Sequence, residues 1–597
     1  MGAIAKYKLK EPAKSTQTHK AQYLAMKSMA KGYAEGLNDD VRLRLAQFFC
    51  ATMVRSYWNM LVRSKGSQLK IKPYSIESVG FDSAAAQLAA EIGSLVTQFP
   101  SANAGYLIGS IYTVMLPDAM RSTLGAFYTP PAISERLIDL AIKAGFDPAK
   151  HSVCDPSCGG GAFLAPVAAR MIKASPSGSP ELILKRIISR LHGSEIDPFA
   201  AWMSEVLLEA TLLELVIASG NRTSRVVQVG DSLKLTSSFG GFDLVIGNPP
   251  YGRVTLTNSL REKFSRSLYG HANLYGVFTD LALTLSKPGG VIAYVTPTSF
   301  LGGQYFKALR ALLCKIAPAH SIDIVHGRDG VFDDVLQETA LTTYRNGAKP
   351  SSVSVSQVSA RSGDQVEVIA IGKFDLDVRG EPWVLPRSKE QASFFIALRN
   401  MNTRLADLEY EVSTGPLVWN RFKDQLKEKI QGNKVYPLVW AESIASAKFS
   451  FSAKKKNHAP AISVLKNQTH LLTKSPCVLV QRTTSKEQSR RLVCAVLPRD
   501  FLQKHQAVVI ENHLNAIYSS ASAPKIAPET IAALLNSKPA DEAFRCISGS
   551  VAVSAYELNA LPLPTPEQMN QLQILVKNNA SSKSIAKVIE RFYGIHE

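Results

Sequence analysis

The chain has 597 residues, 46% hydrophobic and 20% charged, with seven cysteines and a formal net charge of +19. That length exceeds what one hydrophobic core supports and the composition excludes wholesale disorder, so two or three globular domains are expected. No apolar run approaches the ~20 residues of a membrane span, and the basic start MGAIAKYKLKEPAKSTQTHK lacks the apolar core of a signal peptide; a cytoplasmic protein is the expectation, and its positive excess favours a polyanion such as nucleic acid as partner.

Residues 1–115 read as a helical region. In VRLRLAQFFCATMVRSYWNMLVRS, the residues Leu43, Phe49, Cys50, Met53, Tyr57, Met60 and Leu61 recur at helical spacing, with Arg42, Arg44, Arg55 and Arg63 between them. A packed helix with a solvated basic face is the plainer reading and a DNA-facing helix the sharper one. For the region as a whole, a DNA clamp and structural support both fit.

From 116 to 375, short apolar runs alternate with longer amphipathic ones, the pattern of βα units and a mostly parallel sheet. Expected strands are Ser152–Cys154, Leu191–Glu195, Val226–Val229, Phe242–Ile246 and Val291–Thr296. Expected helices are Ala162–Lys173, Phe199–Ala218 and Leu274–Leu285, and the polar patch Lys349 to Asp364 suggests a hairpin near the end of this domain. Cys154 and Cys158 are the only close cysteine pair, and no second pair completes a zinc site. Reduced thiols and no metal are expected.

The segment HSVCDPSCGGGAFL, His151 to Leu164, joins a strand, an acid, a glycine-rich turn and a helix start. Glycines allow close approach of backbone to a ligand, and a helix N-terminus adds N–H donors. No Gly-Lys-Ser/Thr follows, which disfavours a phosphate loop, and Asp155 at the turn would repel a pyrophosphate but suit an amine. Two more acids follow at strand ends. Glu195 in HGSEIDP is placed to accept from ribose hydroxyls, and Asp231 in QVGDSL to accept from an exocyclic amine. Singly, each acid is a common turn or cap residue. In sequence at successive strand ends, they fit S-adenosylmethionine, which has an amino-acid tail, a ribose and an adenine.

FDLVIGNPPYGRV, Phe242 to Val254, follows a buried strand with Asn248, Pro249, Pro250 and Tyr251. Neither proline carries an N–H, so the ladder ends at the carboxyl edge of the sheet, where open α/β sheets place ligands. Two acceptors, the Asn248 side-chain oxygen and the Pro249 carbonyl, would hold and polarise an exocyclic amine, the prolines would fix the loop, and Tyr251 would offer a face for stacking. A base inside a duplex must be flipped out to reach such a loop, at a cost of a few kcal/mol that stacking partly offsets. A proline-rich turn with a core tyrosine is the competing structural reading.

These motifs together resemble the gamma class of N6-adenine DNA methyltransferases of bacterial restriction–modification systems, over roughly residues 120–345 and more faintly to the end of the chain. LGAFYTPPAISERLIDLAI looks like the family's leading motif, which implies that Thr129 contacts the cofactor. DPSCGGGAFL, SEIDP, GDSL, NPPYG, NLYGVF and GGVIAYVTPTSFL follow in the family's order. The resemblance implies a Rossmann-like α/β catalytic domain at 116–375 that binds S-adenosylmethionine through Thr129, Asp155, Pro156, Cys158, Gly159, Gly161, Glu195, Asp231 and Phe278. It assigns the chemistry to Asn248, Pro249, Pro250 and Tyr251, with Phe332 of GVFDDVLQETALTTY as a second aromatic against the flipped adenine. Asp155 stands where some relatives carry Glu, which preserves the charge. EVSTGPLVWNRFKD and FRCISGSVAVSAYELNALPLPTPE resemble specificity regions, which makes 376–597 an α+β target recognition domain. Its basic loops, SAKKKNH and TTSKEQSRR among them, would grip phosphates while other side chains read base edges.

The expected partner is double-stranded DNA in a bacterial nucleoid. No nuclease acid–acid–lysine set is found in 1–115 or in the tail, so any cognate restriction endonuclease would be a separate chain. Three other readings stand beside this one: an inactive DNA-binding subunit, a cytosine N4 methyltransferase, and a methyltransferase of a protein glutamine amide. The intact site residues weigh against the first, Asn248 in place of the usual Ser against the second, and the large basic tail against the third.

Overall fold

A computed structural model describes residues 14–76, 82–117, 120–121, 129–235, 240–326, 338–360, 365–455, 458–483, 490–521, 523–548 and 552–595. Contacts divide the chain into two compact units. The first runs to Pro297 and takes in Leu312–Ser354 and Val358–Val368; the second comprises Thr298–Ala311, Val355–Gln357 and Ile369–Glu597.

The first unit opens with four helices, α1 (Lys14–Ala34), α2 (Asp39–Ser64), α3 (Ser83–Val96) and α4 (Ala104–Met115). Asn38 caps α2 by accepting from the Val41 N–H, and Asp39 and Asp40 lie in its first turn, where acids suit the helix dipole. Phe49, Cys50, Met53, Tyr57 and Trp58 of α2 are buried against α3 and α4, each large side chain contributing ~1.5–3 kcal/mol relative to exposure. Met60, expected on that face, is instead 43% exposed. Two of the four interspersed arginines turn inward to backbone: Arg42 Nε donates to the Met115 carbonyl at 2.7 Å, and Arg55 to that of Tyr74 at 3.4 Å.

Next comes the α/β part. Its helices include α5 (Pro131–Lys143), α6 (Leu164–Ala174), α7 (Pro180–Ile188), α8 (Pro198–Thr211), α9 (Leu213–Ser219) and α10 (Leu274–Leu285). Its strands are β1 (Val153–Asp155), β2 (Leu191–Glu195), β3 (Val227–Val229), β4 (Phe242–Gly247), β5 (Ser286–Pro297), β6 (Ala319–His326) and β7 (Thr339–Arg345). They lie in the order 3-2-1-4-5-7-6, parallel except for β7, which pairs antiparallel with both β5 and β6. Strands Val353–Ala360 and Val366–Phe374 lie side by side beyond β6, starting and ending later than the polar patch where a hairpin was expected. This is the Rossmann-like α/β arrangement expected from the sequence. The chain reverses winding between β1 and β4, which opens a crevice at their carboxyl ends. The expected helix Phe199–Ala218 is two helices, because Leu212 (φ −92°, ψ 5°) breaks the run.

The four N-terminal helices share one core with Phe199, Trp202, Met203, Val206 and Leu207 of α8. A strap between α2 and α3 secures this packing through part-buried polar contacts. Trp202 Nε1 donates to the Lys72 carbonyl at 3.0 Å, and Lys72 Nζ meets Glu205 Oε2 at 2.6 Å. Glu205 Oε1 in turn accepts from the N–H groups of Val226 and Val227 at 2.6 and 2.7 Å.

The second unit is α+β. Tyr410–Thr414, Leu514–Ser519, Cys477–Gln481 and Cys494–Val496 form one antiparallel sheet. Val435–Val439, Ala461–Ser463, Val508–Ile510 and two shorter strands form another. Its helices include Pro528–Leu535, Lys538–Ile547, Pro566–Lys577 and Ser582–Phe592. From Ser443 to Lys486 the sequence has no acid while carrying Lys448, Lys454, Lys455, Lys466, Lys474 and Arg482 among its basic residues. All seven cysteines are buried and none forms a disulfide. Among the described residues no helix is long and apolar enough to cross a membrane.

Candidate functional site

Four consecutive strands of the parallel sheet end at one edge, and each delivers a residue singled out in the sequence. Asp155 ends β1, Glu195 ends β2, Asp231 follows β3 and Asn248 follows β4. A cavity opens there, lined by Thr129, Pro156, Cys158, Gly159, Glu195, Asp231, Asn248, Pro250 and Phe278 from the sequence-derived set. Tyr112, Phe163, Ile196, Asp197 and Leu233, which sequence reading did not single out, line it too. Asp155, Gly161, Pro249 and Tyr251 lie outside this lining, and Phe332 lies outside the described residues.

The glycine loop has its conformation by necessity. Gly159 and Gly161 have φ of +51° and +87°, left-handed values that strain any residue with a Cβ. The Gly159 N–H donates to Glu195 Oε2 at 2.8 Å, and the Asp197 N–H to Glu195 Oε1 at 3.0 Å. Burial raises the Glu195 carboxyl above the ordinary range, and these two N–H groups pull the other way.

Asp155 sits beneath the loop, 1% exposed. Its Oδ1 accepts from the Ser157 N–H at 3.1 Å, while Oδ2 is buried with no hydrogen-bond partner. Burial pushes this carboxyl up to about 8; the Ser157 N–H opposes the shift and the nearby Glu195 charge adds to it. A buried acid with an orphaned oxygen is an unfinished site, because leaving such an atom unsatisfied costs ~1–3 kcal/mol. Thr129 Oγ1 and Ser157 Oγ, both on cavity-lining residues, are buried and unpartnered as well. Gly247 joins the two motifs physically: a Cβ there would lie 2.7 Å from Asp155 Oδ1. The residue before Asn248 is glycine because the β4 end passes directly over the Asp155 carboxylate.

At the other end of the cavity, Asn248 Oδ1 accepts from the Tyr251 hydroxyl at 2.7 Å, and the Val295 carbonyl lies 3.2 Å from the same hydroxyl. The Tyr251 ring meets Tyr275 edge-on, with centroids 6.0 Å apart. Tyr251 therefore reaches Asn248 through its phenol, a contact the sequence did not suggest. Along the remaining wall stand Phe278 of α10, Leu233, and Ile196, which is 57% exposed. Together these apolar side chains line a wall that suits a flat apolar ligand. Asp231 caps the turn that carries Leu233, accepting from the Leu233 N–H at 3.0 Å.

The cavity thus offers acids and hydroxyls at the glycine loop, an apolar slot, and a rigid Asn-Pro-Pro edge. That donor set fits a ligand with an amine, vicinal hydroxyls and a planar ring.

Comparison with known proteins places the chain beside restriction–modification methyltransferases. A family model described as Eco57I restriction-modification methylase matches residues 196–332. The type II methyltransferase M.BsuBI of Bacillus subtilis is 26% identical over 453 residues, covering 74% of this chain and 88% of that protein. The type II methyltransferase M.PstI of Providencia stuartii is 24% identical over 472 residues, covering 76% and 90%. The solved structure of the type IIL restriction-modification enzyme MmeI in complex with DNA aligns with a TM-score of 0.52 at 12% identity, over 99% of this chain and 97% of that one, a likeness of fold.

Proposed function

Starting from a homologue of the type II restriction–modification methyltransferases, we propose that this protein methylates N6 of an adenine flipped out of double-stranded DNA, as the modification component of such a system. One observation carries the reading: Asn248 and Pro250 of NPPY border the same cavity as Pro156–Gly159, Glu195 and Phe278. A reactive amine held by Asn248 would face the ligand held by the glycine loop.

S-adenosylmethionine, when bound, would supply a methyl group on a sulfonium: the N–C bond would form as the S–C bond breaks to leave a thioether, and the nitrogen would pass its proton to water. The residues of this chain position and polarise. Glu195 accepts from ribose hydroxyls and Asp231 from the adenine amine of the cofactor, Ile196 and Phe278 flank its ring, and Asp155, Thr129 and Ser157 supply polar atoms for the amino-acid end. Asn248 Oδ1 and the Pro249 carbonyl accept from the target amine and draw its lone pair out of the ring. Tyr251 and Phe332 are the aromatics for the flipped base, and residues 376–597, with their acid-free basic stretch, bind the DNA site.

The test is expression in a host lacking DNA methylation, followed by direct sequencing of the genome for modified bases. N6-methyladenine at one recurring site is expected from the wild-type protein and none from Asn248→Ala. Methylation on cytosine instead, or DNA binding without methylation of any sequence, would overturn the proposal.

A further inference from the structure

Helix α4 reaches the cavity from well upstream of the glycine loop in sequence. Its Tyr112 is 1% exposed, lines the cavity, and donates its phenol to Asp197 Oδ2 at 3.1 Å. Near its start, Gly105 approaches the glycine loop so closely that a Cβ would lie 2.9 Å from the Gly160 carbonyl oxygen. Backbone therefore rests on backbone at this crossing. We infer that the N-terminal helices are a working part of the cofactor site and that Tyr112 is a positioning residue that sets the acid edge of the cavity; the inference rests on the S-adenosylmethionine reading above.

The effect travels through a short relay. Asp197 caps α8, accepting from the Phe199 N–H at 2.9 Å through Oδ1, while Oδ2 takes the Tyr112 phenol. The Asp197 backbone N–H holds Glu195 Oε1 at 3.0 Å. Tyr112 thus fixes Asp197, and Asp197 fixes the carboxylate that faces the ribose. Packing restrains the same corner: the Tyr112 and Phe199 rings lie 5.1 Å apart, and Tyr74 of the strap lies 5.7 Å from Phe199 and 5.2 Å from Trp202.

The experiment uses full-length protein and S-adenosylhomocysteine as the probe. Tyr112→Phe keeps the ring and its packing and removes only the donor. By calorimetric titration the variant should bind the probe roughly 5–10-fold more weakly, the size of one ordinary net hydrogen bond, because the phenol acts on the ligand only through Asp197 and Glu195. In turnover, the loss should appear in KM for S-adenosylmethionine rather than in kcat or in KM for DNA, a split that general destabilisation would not give. Equal affinity of a folded variant and the wild type overturns the inference and leaves the proposed function standing. Failure of the wild type to bind the probe overturns both. If the variant does not fold, hydrogen exchange on the wild type decides: slowed exchange of the α4 amides on adding the probe supports the inference, and unchanged exchange overturns it.

Discussion

The phenol of Tyr251 bonds to the oxygen on which the proposed chemistry depends, and removing it has a calculable consequence. Tyr251→Phe deletes the 2.7 Å bond to Asn248 Oδ1 while leaving a ring of nearly the same area for stacking. A net hydrogen bond is worth ~0.5–1.5 kcal/mol, and losing this one weakens the hold on the Asn248 oxygen that is to accept from the target amine. If the full value is felt in the transition state, kcat falls about 2–12-fold. Asn248→Ala removes the acceptor itself and should cost about 10²–10³-fold, the usual scale for one preorganised polar group. Because the phenol acts through Asn248, Tyr251→Phe should cost nothing further in the Asn248→Ala background, giving a coupling energy of ~1 kcal/mol. The assay is single-turnover transfer of labelled methyl to unmethylated genomic DNA, with cofactor binding measured in parallel and expected to stay constant. Full-rate Tyr251→Phe enzyme, or losses that multiply in the double variant, would refute the reasoning.

Three more expectations come from buried groups. Asp155, with its carboxyl raised to about 8 by burial, contributes stability that is present at low pH and lost as pH rises from the unfolded value of 3.8 through about 8. In the ligand-free protein Asp155→Asn should therefore melt increasingly above wild type between pH 5 and 8 while binding S-adenosylhomocysteine poorly; a gap that narrows with rising pH would contradict this. Gly247→Ala puts a Cβ 2.7 Å from Asp155 Oδ1 and should cost about 1–3 kcal/mol in denaturant unfolding and at least about tenfold in kcat, since β4 must move with Asn248 at its end. Glu205→Gln replaces the carboxylate that joins Lys72 to the N–H groups of Val226 and Val227, and about 1–3 kcal/mol of stability should go with it, read from the midpoint of urea unfolding.

What the sequence disclosed about this site is what the chain writes locally. The acids at the ends of β1, β2 and β3 and the Asn-Pro-Pro turn after β4 each lie within a few residues of an apolar run, so strand, turn and side chain are read together. The parallel sheet follows from those runs alternating with helices. Tyr112 is different. It is one aromatic in a helix whose neighbours Leu107, Ile108 and Ile111 are core residues, and nothing within a turn of it marks it as polar-facing. Only the tertiary crossing of α4 over the glycine loop brings its phenol to Asp197. The Leu212 break was equally hidden, because no proline or glycine marks the boundary between α8 and α9. In the second unit, strand Tyr410–Thr414 pairs with Leu514–Ser519 across about a hundred intervening residues, so its register is set by closure of a long loop. Gly247 shows the intermediate case. A glycine at a strand end reads as a turn, yet its actual constraint is a carboxylate from a strand ninety-odd residues earlier. A local motif announces chemistry when a ligand sets the spacing; when another part of the chain sets it, only the packed sheet discloses the reason.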